Sequence, residues 1–275
     1  IMQCILTALK AESDPIIEHF GLKRSNSFDF PVFEDETKDL FLIGLGVGKR
    51  KIESRIKNFI KSGKYSYVQF INIGIAGSNK DYSEIGDLLL INKIIDESSN
   101  LSYYPDILID HKMVEGALTT VEKVADDINS HHDSLVDMEA SEIFKVCSRI
   151  TPIHHIAFIK IVSDHMQFEQ VKLTGNVISS LITTKLEVIK TFLENFNSLL
   201  KNDQPILSQI DLDWIHNNKR QLLLTETQTK QLTDKTKYYR LKNNKLPLPD
   251  QILIKPESKV VRKRIFTDIC ETLTK

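Results

Sequence analysis

The sequence predicts an α/β protein: a three-layer αβα body on a central mixed, largely parallel sheet, followed by a helical C-terminal extension. Three observations lead there. Short runs that are apolar throughout, such as residues 40–45 and 68–73, alternate with segments of helical spacing, the pattern of strands covered on both faces by helices. Small and polar residues cluster where those runs end, at Gly44, Gly46 and Gly48, at Gly74 to Gly77 and at Ser163-Asp164. Ligands of such sheets bind outside the carboxyl ends of the strands. Past about Gln204 the composition turns polar and rich in Thr, Gln, Lys and Asn, which divides the chain into a body, 2–203, and an extension, 204–275.

Residues 2–9 are a short apolar run rich in strand formers, and Ile16, Ile17 and Phe20 then mark a helical face over 12–20. Residues 40–45 read as a second strand, the three glycines as a turn, and Ile52, Ile56, Phe59 and Ile60 as the face of a helix. A third strand over 68–73 ends in Gly74-Ile75-Ala76-Gly77, and Gly86-Asp87 opens a fourth over 88–95. Residues 118–124 read as a short strand, 138–146 as a helix, and 156–162 as a buried strand that stops at Ser163-Asp164. Leu181, Leu186, Ile189, Phe192, Leu193 and Phe196 are the apolar stripe of one long helix over 181–200. In the extension, 213–241 is helix-like, Pro247, Pro249 and Pro256 interrupt it, and a helix over 260–273 closes it.

At 275 residues and 41% hydrophobic content, the chain buries one substantial core with residues left for an appendage. Its apolar runs are too short to span a bilayer and no charged-then-apolar leader opens it, so a soluble cytoplasmic protein with no membrane contact is expected. Cys4, Cys147 and Cys270 are odd in number, far apart and without a C-x-x-C pair, which supports neither a disulfide framework nor a thiolate zinc site. The pairs His131-His132 and His154-His155 are adjacent residues whose side chains diverge, so no metal is expected. The formal net charge of −1 conceals an asymmetry: from Lys219 onward, 14 Lys and Arg face 6 Asp and Glu, an excess of +8 that leaves −9 for the rest. Such a tail can meet nucleic acid, another acidic macromolecular partner, or the acidic surface of its own body. No zinc finger, helix-turn-helix or aromatic-basic motif accompanies it.

Four segments carry a resemblance when taken together. They are Ala8-Leu9-Lys10-Ala11-Glu12, Gly46-Val47-Gly48-Lys49, Asn72-Ile73-Gly74-Ile75-Ala76-Gly77 with Gly86-Asp87, and Val136-Asp137-Met138-Glu139-Ala140 with Val162-Ser163-Asp164. In order and strand-end placement, residues 2–200 resemble the superfamily of purine and uridine nucleoside phosphorylases and methylthioadenosine/adenosylhomocysteine nucleosidases. The resemblance implies a sheet of the nucleoside phosphorylase type and cleavage of the N-glycosidic bond of a purine nucleoside or 5′-modified relative. It implies no cofactor beyond phosphate, as co-substrate if the enzyme is a phosphorylase. A nucleoside is the expected small-molecule partner, and a homo-oligomer, a dimer, the expected assembly.

Cleaving that bond requires a proton for N7 of the leaving base and negative charge near an oxocarbenium-like sugar. Asp164, at the end of a buried strand, falls where the family places its general acid. Burial is expected to raise its pKa, and Ser163 would orient it. The alternative for Asp164 is a helix N-cap. Glu139, between Met138 and Ala140, is a poorly placed carboxylate without a partner. The resemblance implies that it grips the 2′ and 3′ hydroxyls of ribose while Met138 packs on the sugar; an ordinary first-turn Glu is the alternative. Glu12 falls at the position of the family's water-activating carboxylate, or is likewise a first-turn residue. Gly44, Gly46, Gly48 and Lys49 match neither a P-loop nor a dinucleotide fingerprint. They read as a turn bringing N–H groups to the pocket floor, or as a strand-to-helix turn needing positive φ. Ala76 and Gly77 would let a flat purine approach the backbone, or simply pack tightly.

The chain departs from the family at several points. Lys160 stands where the nucleosidases carry an Arg, keeping the charge and losing the planar fork. Ile75 replaces a common Ser, and no aromatic lies around Val124 to stack on a base. The segment between Asp87 and Leu118 is short, so a helix is expected to be missing. Tyr103 and Tyr104 line a reshaped pocket, a dimer contact or the surface. Hydrolysis is preferred to phosphorolysis, because no arginine lies in the Gly74 to Gly77 turn and a carboxylate at Glu12 repels phosphate. A non-catalytic nucleoside sensor on the same fold is the competing class.

Overall fold

The apolar runs become strands in the computed structural model, which describes residues 2–63, 68–122, 132–166, 173–202, 206–243, 246–250, 252 and 256–274. The chain separates into two units, 1–202 and 203–275. In the first, β1 (Met2–Thr7), α1 (Lys10–Phe20), β2 (Lys23–Arg24), β3 (Val32–Glu34) and β4 (Leu40–Gly44) lead through a short 3-10 turn to α2 (Ile52–Ser62). Then come β5 (Val68–Gly77), β6 (Leu88–Asp96), β7 (Leu101–Tyr103), β8 (Val114–Thr120), β9 (Leu135–Asp137), α3 (Ala140–Cys147), β10 (Ile156–Asp164), α4 (Gly175–Thr183) and α5 (Leu186–Asn202).

All ten strands belong to one sheet in the order β10-β6-β8-β9-β5-β1-β4-β3-β2, with β7 beside β6. An additional β10–β5 pairing closes β5, β10, β6, β8 and β9 into a ring. Of the ten pairings, five are parallel and five antiparallel. The sheet is mixed, and its longest registers, β10–β5, β6–β8, β1–β4 and β1–β5, are all parallel. Strand alternation sends Met2, Cys4 and Leu6 into one apolar cluster with Ile52, Ile56 and Phe59 of α2 and Ile143 and Phe144 of α3. It sends Ile5, Ile71 and Ile159 into another with Ile16 of α1, Ile182 of α4 and Ile189 and Phe192 of α5.

Several boundaries differ from the sequence pattern for local reasons. The long helix expected over 181–200 is two helices. The hydroxyls of Thr183 and Thr184 donate to the carbonyls of Ser179 and Leu181 at 2.7 and 2.8 Å, and the Lys185 N–H closes on Ile182 instead of continuing the ladder. β5 runs on through Gly77, and β8 begins at Val114; residues 123 and 124 lie outside the described set. Between β6 and β8 the described chain holds β7 and no helix. Among the described residues no helix is long and apolar enough to cross a membrane.

The second unit consists of α6 (Gln209–Leu222), α7 (Glu226–Lys242) and α8 (Lys259–Thr272). The helix-like stretch 213–241 breaks where Leu223 turns left-handed at φ 50° and Thr225 caps α7 by accepting the Gln228 N–H. Trp214, Ile215, Leu222, Leu232, Phe266 and Ile269 form its core. Within it Arg240 donates to both oxygens of the buried Asp211, at 2.6 to 3.1 Å. Removing one partner of such a pair leaves an uncompensated buried charge. Arg240→Ala should therefore destabilise this unit by about 3–5 kcal/mol. Trp214 is the sole tryptophan, so its fluorescence in a urea titration reads that loss directly. An unchanged midpoint would show that Asp211 does not depend on Arg240.

Candidate active site

The carboxyl ends of the parallel neighbours β4, β1, β5 and β10 lie on one side of the sheet, and the candidate residues gather there. On β10, Phe158 and Val162 face the cluster built with α2 and α3. Strand alternation places Lys160 on that same face, and a register shift between Val162 and Asp164 interrupts the alternation before Asp164. Lys160 is 2% exposed. Its Nζ lies 2.9 Å from Oδ2 of Asp137, at the end of β9. That carboxylate also accepts the Thr120 hydroxyl at 2.8 Å and the Ala140 N–H at 3.0 Å, which caps α3. Burial alone would lower the Lys160 pKa. The charges of Asp137, Glu139 and Glu12 outweigh it and hold the ammonium above its usual value.

Glu139 occupies the N-cap position of α3 without capping it, a task Asp137 performs. Its Oε1 instead accepts the Gly48 N–H at 2.7 Å. Gly46 and Gly48 have φ of 79° and 78°. The backbone needs the left-handed region, and the turn presents an N–H to the site. Burial, with the neighbouring Asp137 charge adding to it, pushes the Glu139 carboxyl up to about 7.

Glu12 is in the first turn of α1 and is 2% exposed. Its Oε2 accepts the N–H groups of Ala8 and Leu9 at 2.9 and 2.8 Å, and Oε1 accepts that of Ile75 at 2.9 Å. It thus completes the start of its own helix and also bridges to β5. Burial raises its pKa above the ordinary carboxylate value, against the Leu9 hydrogen bond and the Lys160 charge. Gly74 makes room for it, because a Cβ there would lie 2.7 Å from Oε1.

Asp164 ends β10 half-buried rather than buried, since burial along that strand stops at Ser163. Its Oδ2 accepts the Ser163 hydroxyl at 2.6 Å and its Oδ1 the Met166 N–H at 2.9 Å. Among the described residues it caps no helix, as α4 begins later and is capped by Thr174. The Ser163 hydroxyl also reaches the Ala76 carbonyl at 3.2 Å. Gly86 and Asp87 anchor this strand end through Gly86 N–H to Val162 O and Val162 N–H to Asp87 O. At Gly77 the ring of strands closes: this one residue pairs with Asp164 on β10 and with Val136 on β9. A Cβ on Gly77 would meet Met166 Cγ at 2.7 Å.

Glu12, Asp137, Glu139 and Lys160 thus form one electrostatic cluster, and Asp164 ends the strand that carries Lys160, past the register shift that follows Val162. Met138 is half-buried beside them, and Tyr103 packs on Phe144 at 5.1 Å, while Tyr104 is exposed. The segment around Val124 lies outside the described residues. Among those described, no cluster of three or more His, Cys, Asp or Glu is placed to hold a metal. Sequence reasoning assigned no role to Asp137. A lysine in an otherwise apolar strand was the available signal for Asp137, because a buried ammonium demands a counter-ion.

No protein-family profile and no curated protein sequence matches the chain. Solved structures do. The 5′-methylthioadenosine/S-adenosylhomocysteine nucleosidase of S. pneumoniae, solved with a transition-state inhibitor, superposes with a TM-score of 0.58 at 16% identity, covering 71% of this chain and 99% of that one. The MTAN of Chlamydia trachomatis bound to MTA gives 0.56 at 21%, covering 70% and 99%. The futalosine hydrolase of Helicobacter pylori gives 0.52 at 19%, covering 70% and 97%. At these identities the likeness shows a shared mixed α/β fold.

The Glu139 site carries a pH signature. Its folded pKa of about 7 exceeds the ordinary 4.5, so the folded state holds the proton more tightly. The resulting stabilisation is full below the ordinary value and is lost as pH rises through about 7, an effect on the order of 3 kcal/mol. Glu139→Gln should flatten the fall in Tm between roughly pH 5 and pH 8, leaving the slope due to Glu12. Parallel profiles for variant and parent would exclude Glu139 as the source.

Proposed function

We propose that the first unit is a nucleosidase: it hydrolyses the N-glycosidic bond of a purine nucleoside or a 5′-modified relative, with acid-assisted departure of the base. The observation that carries this reading is the meeting at Gly77 of the Ser163-Asp164 strand end and the β9 segment leading to Glu139. Base and sugar of one nucleoside can then be held from the two sides of a single residue. The fold shared with nucleosidases acting on methylthioadenosine and adenosylhomocysteine, and with a futalosine hydrolase, supports the reaction class.

In this mechanism Asp164 donates a proton to N7 of the base, the C1′–N9 bond breaks, and its electrons leave with the neutral base. Ser163 assists because its hydroxyl has two acceptors. It donates to Asp164 when that group is ionised, and turns to the Ala76 carbonyl when Asp164 carries the proton. Glu139, fixed by Gly48, offers its remaining lone pairs to the ribose hydroxyls, with Met138 against the sugar. The carboxylates oppose the positive charge developing at C1′. Water attacks C1′ and gives its proton to Glu12, a carboxyl that burial makes more basic than an exposed one. Lys160 acts on this reading through Asp137 and the other carboxylates rather than on the substrate.

Water is preferred to phosphate because the nearby ammonium groups are already engaged. Lys49 is 3.0 Å from Asp96 and Lys160 is 2.9 Å from Asp137, and a phosphate dianion needs free, converging cations. Incubation with a panel of purine nucleosides should therefore release free base and free sugar in phosphate-free buffer. A sugar 1-phosphate formed only with phosphate would make the enzyme a phosphorylase, and binding without turnover would make it a sensor. Asp164→Asn should slow base release at least roughly a hundredfold with the fold intact, and Glu12→Gln should abolish hydrolysis. An active Asp164→Asn variant would remove the acid from the mechanism.

A further inference from the structure

One buried carboxylate outside the proposed chemistry closes a circuit around the sugar-binding end of the site. Asp96, the last residue of β6, is 1% exposed. Its Oδ1 accepts from Lys49 Nζ at 3.0 Å and from the Ser98 hydroxyl at 2.8 Å, and its Oδ2 accepts from Lys145 Nζ. Lys49 is the neighbour of Gly48, whose N–H holds Glu139. Lys145 is on α3, the helix that Glu139 precedes. Following the bonds from Asp96 through Lys49, Gly48, Glu139, α3 and Lys145 returns to Asp96. The same β6 residue pairs in register with Thr120. Thr120 donates to Asp137 and accepts the Ser141 N–H, tying the start of α3 to the sheet a second time.

We propose that Asp96 is a positioning residue for the sugar subsite: by holding Lys49 and Lys145 at once, it sets the glycine turn against Glu139 and so fixes the carboxylate that receives the ribose. A left-handed turn with two glycines is intrinsically loose. Its attached N–H is only as well placed as the side chain that anchors the turn. Stability alone needs one lysine beside a buried carboxylate. Two lysines, from the turn and from α3, couple the two pieces whose spacing decides whether Gly48 reaches Glu139. Asp96 touches no reacting atom on this assignment, which rests on the sugar-gripping role given to Glu139 above.

The test uses the full chain and two variants, Asp96→Asn and Lys49→Met; the second cuts one arm only and serves if the first does not fold. Amide hydrogen exchange followed by NMR is the primary readout. The Gly48 amide should exchange at least roughly tenfold faster in either variant, while the β5 amides of Ile71 and Ile73 keep their protection. Steady-state kinetics should show KM for a ribonucleoside rising by roughly tenfold with a smaller change in kcat, and the preference over the 2′-deoxy analogue falling toward that of Glu139→Gln. Unchanged Gly48 exchange in a folded variant overturns the assignment. So does faster exchange spread equally over Gly48 and β5, which marks Asp96 as a general structural residue. The amide measurement needs no turnover. If the parent cleaves no nucleoside yet Gly48 alone is released, the positioning role stands and the nucleosidase reading falls.

Discussion

The ammonium of Lys160, buried among Asp137, Glu139 and Glu12, is the interaction on which the remainder of the site depends. Three carboxylates cannot share a dry region without a cation, because their mutual repulsion and lost hydration would drive protons onto them. A lysine meets this need from a single strand position, as a compact point charge that bonds one carboxylate directly and acts on the others through space. Buried ion pairs contribute little net stability compared with apolar packing. A lysine kept in the middle of β10, flanked by Ile159 and Ile161, is therefore better explained by what its neighbours do than by what it adds to the core.

Backbone requirements and chemistry use the same atoms throughout this site. Gly46 and Gly48 satisfy a left-handed turn and also deliver an N–H to Glu139. Glu12 closes the first turn of α1 and reaches across to Ile75. Asp137 caps α3, and by doing so frees Glu139 from the duty that its position would assign. In each case the bonds a group makes are set by the partner that tertiary structure brings, not by residue type alone.

That is also the measure of what the sequence could disclose. Long apolar strands such as β5 and β10 were legible because burial on both faces leaves an unmistakable run. β2, β3, β7 and β9 have two or three residues each, too few for any period to register. The break between α4 and α5 falls where two threonine hydroxyls turn back on the carbonyls of Ser179 and Leu181, and the break after α6 falls at one left-handed leucine. Neither alters the apolar stripe from which helices are read. Asp164, Glu139 and Glu12 are candidates that motifs single out. Asp137 and Asp96 act through lysines 23 and 47 residues away in sequence, and no local pattern records such distances.

The ring formed by β5, β10, β6, β8 and β9 bears on how copies of this protein meet. Sheets recruit other chains through the unpaired N–H and C=O groups of edge strands. Here the strands left at the margins of the described sheet are β2, of two residues with exposed Lys23 and Arg24, and β7, of three. A ten-stranded sheet with so little margin gives an incoming strand almost nothing to extend. In the described sheet it is connectivity, more than surface charge, that leaves few free strand edges.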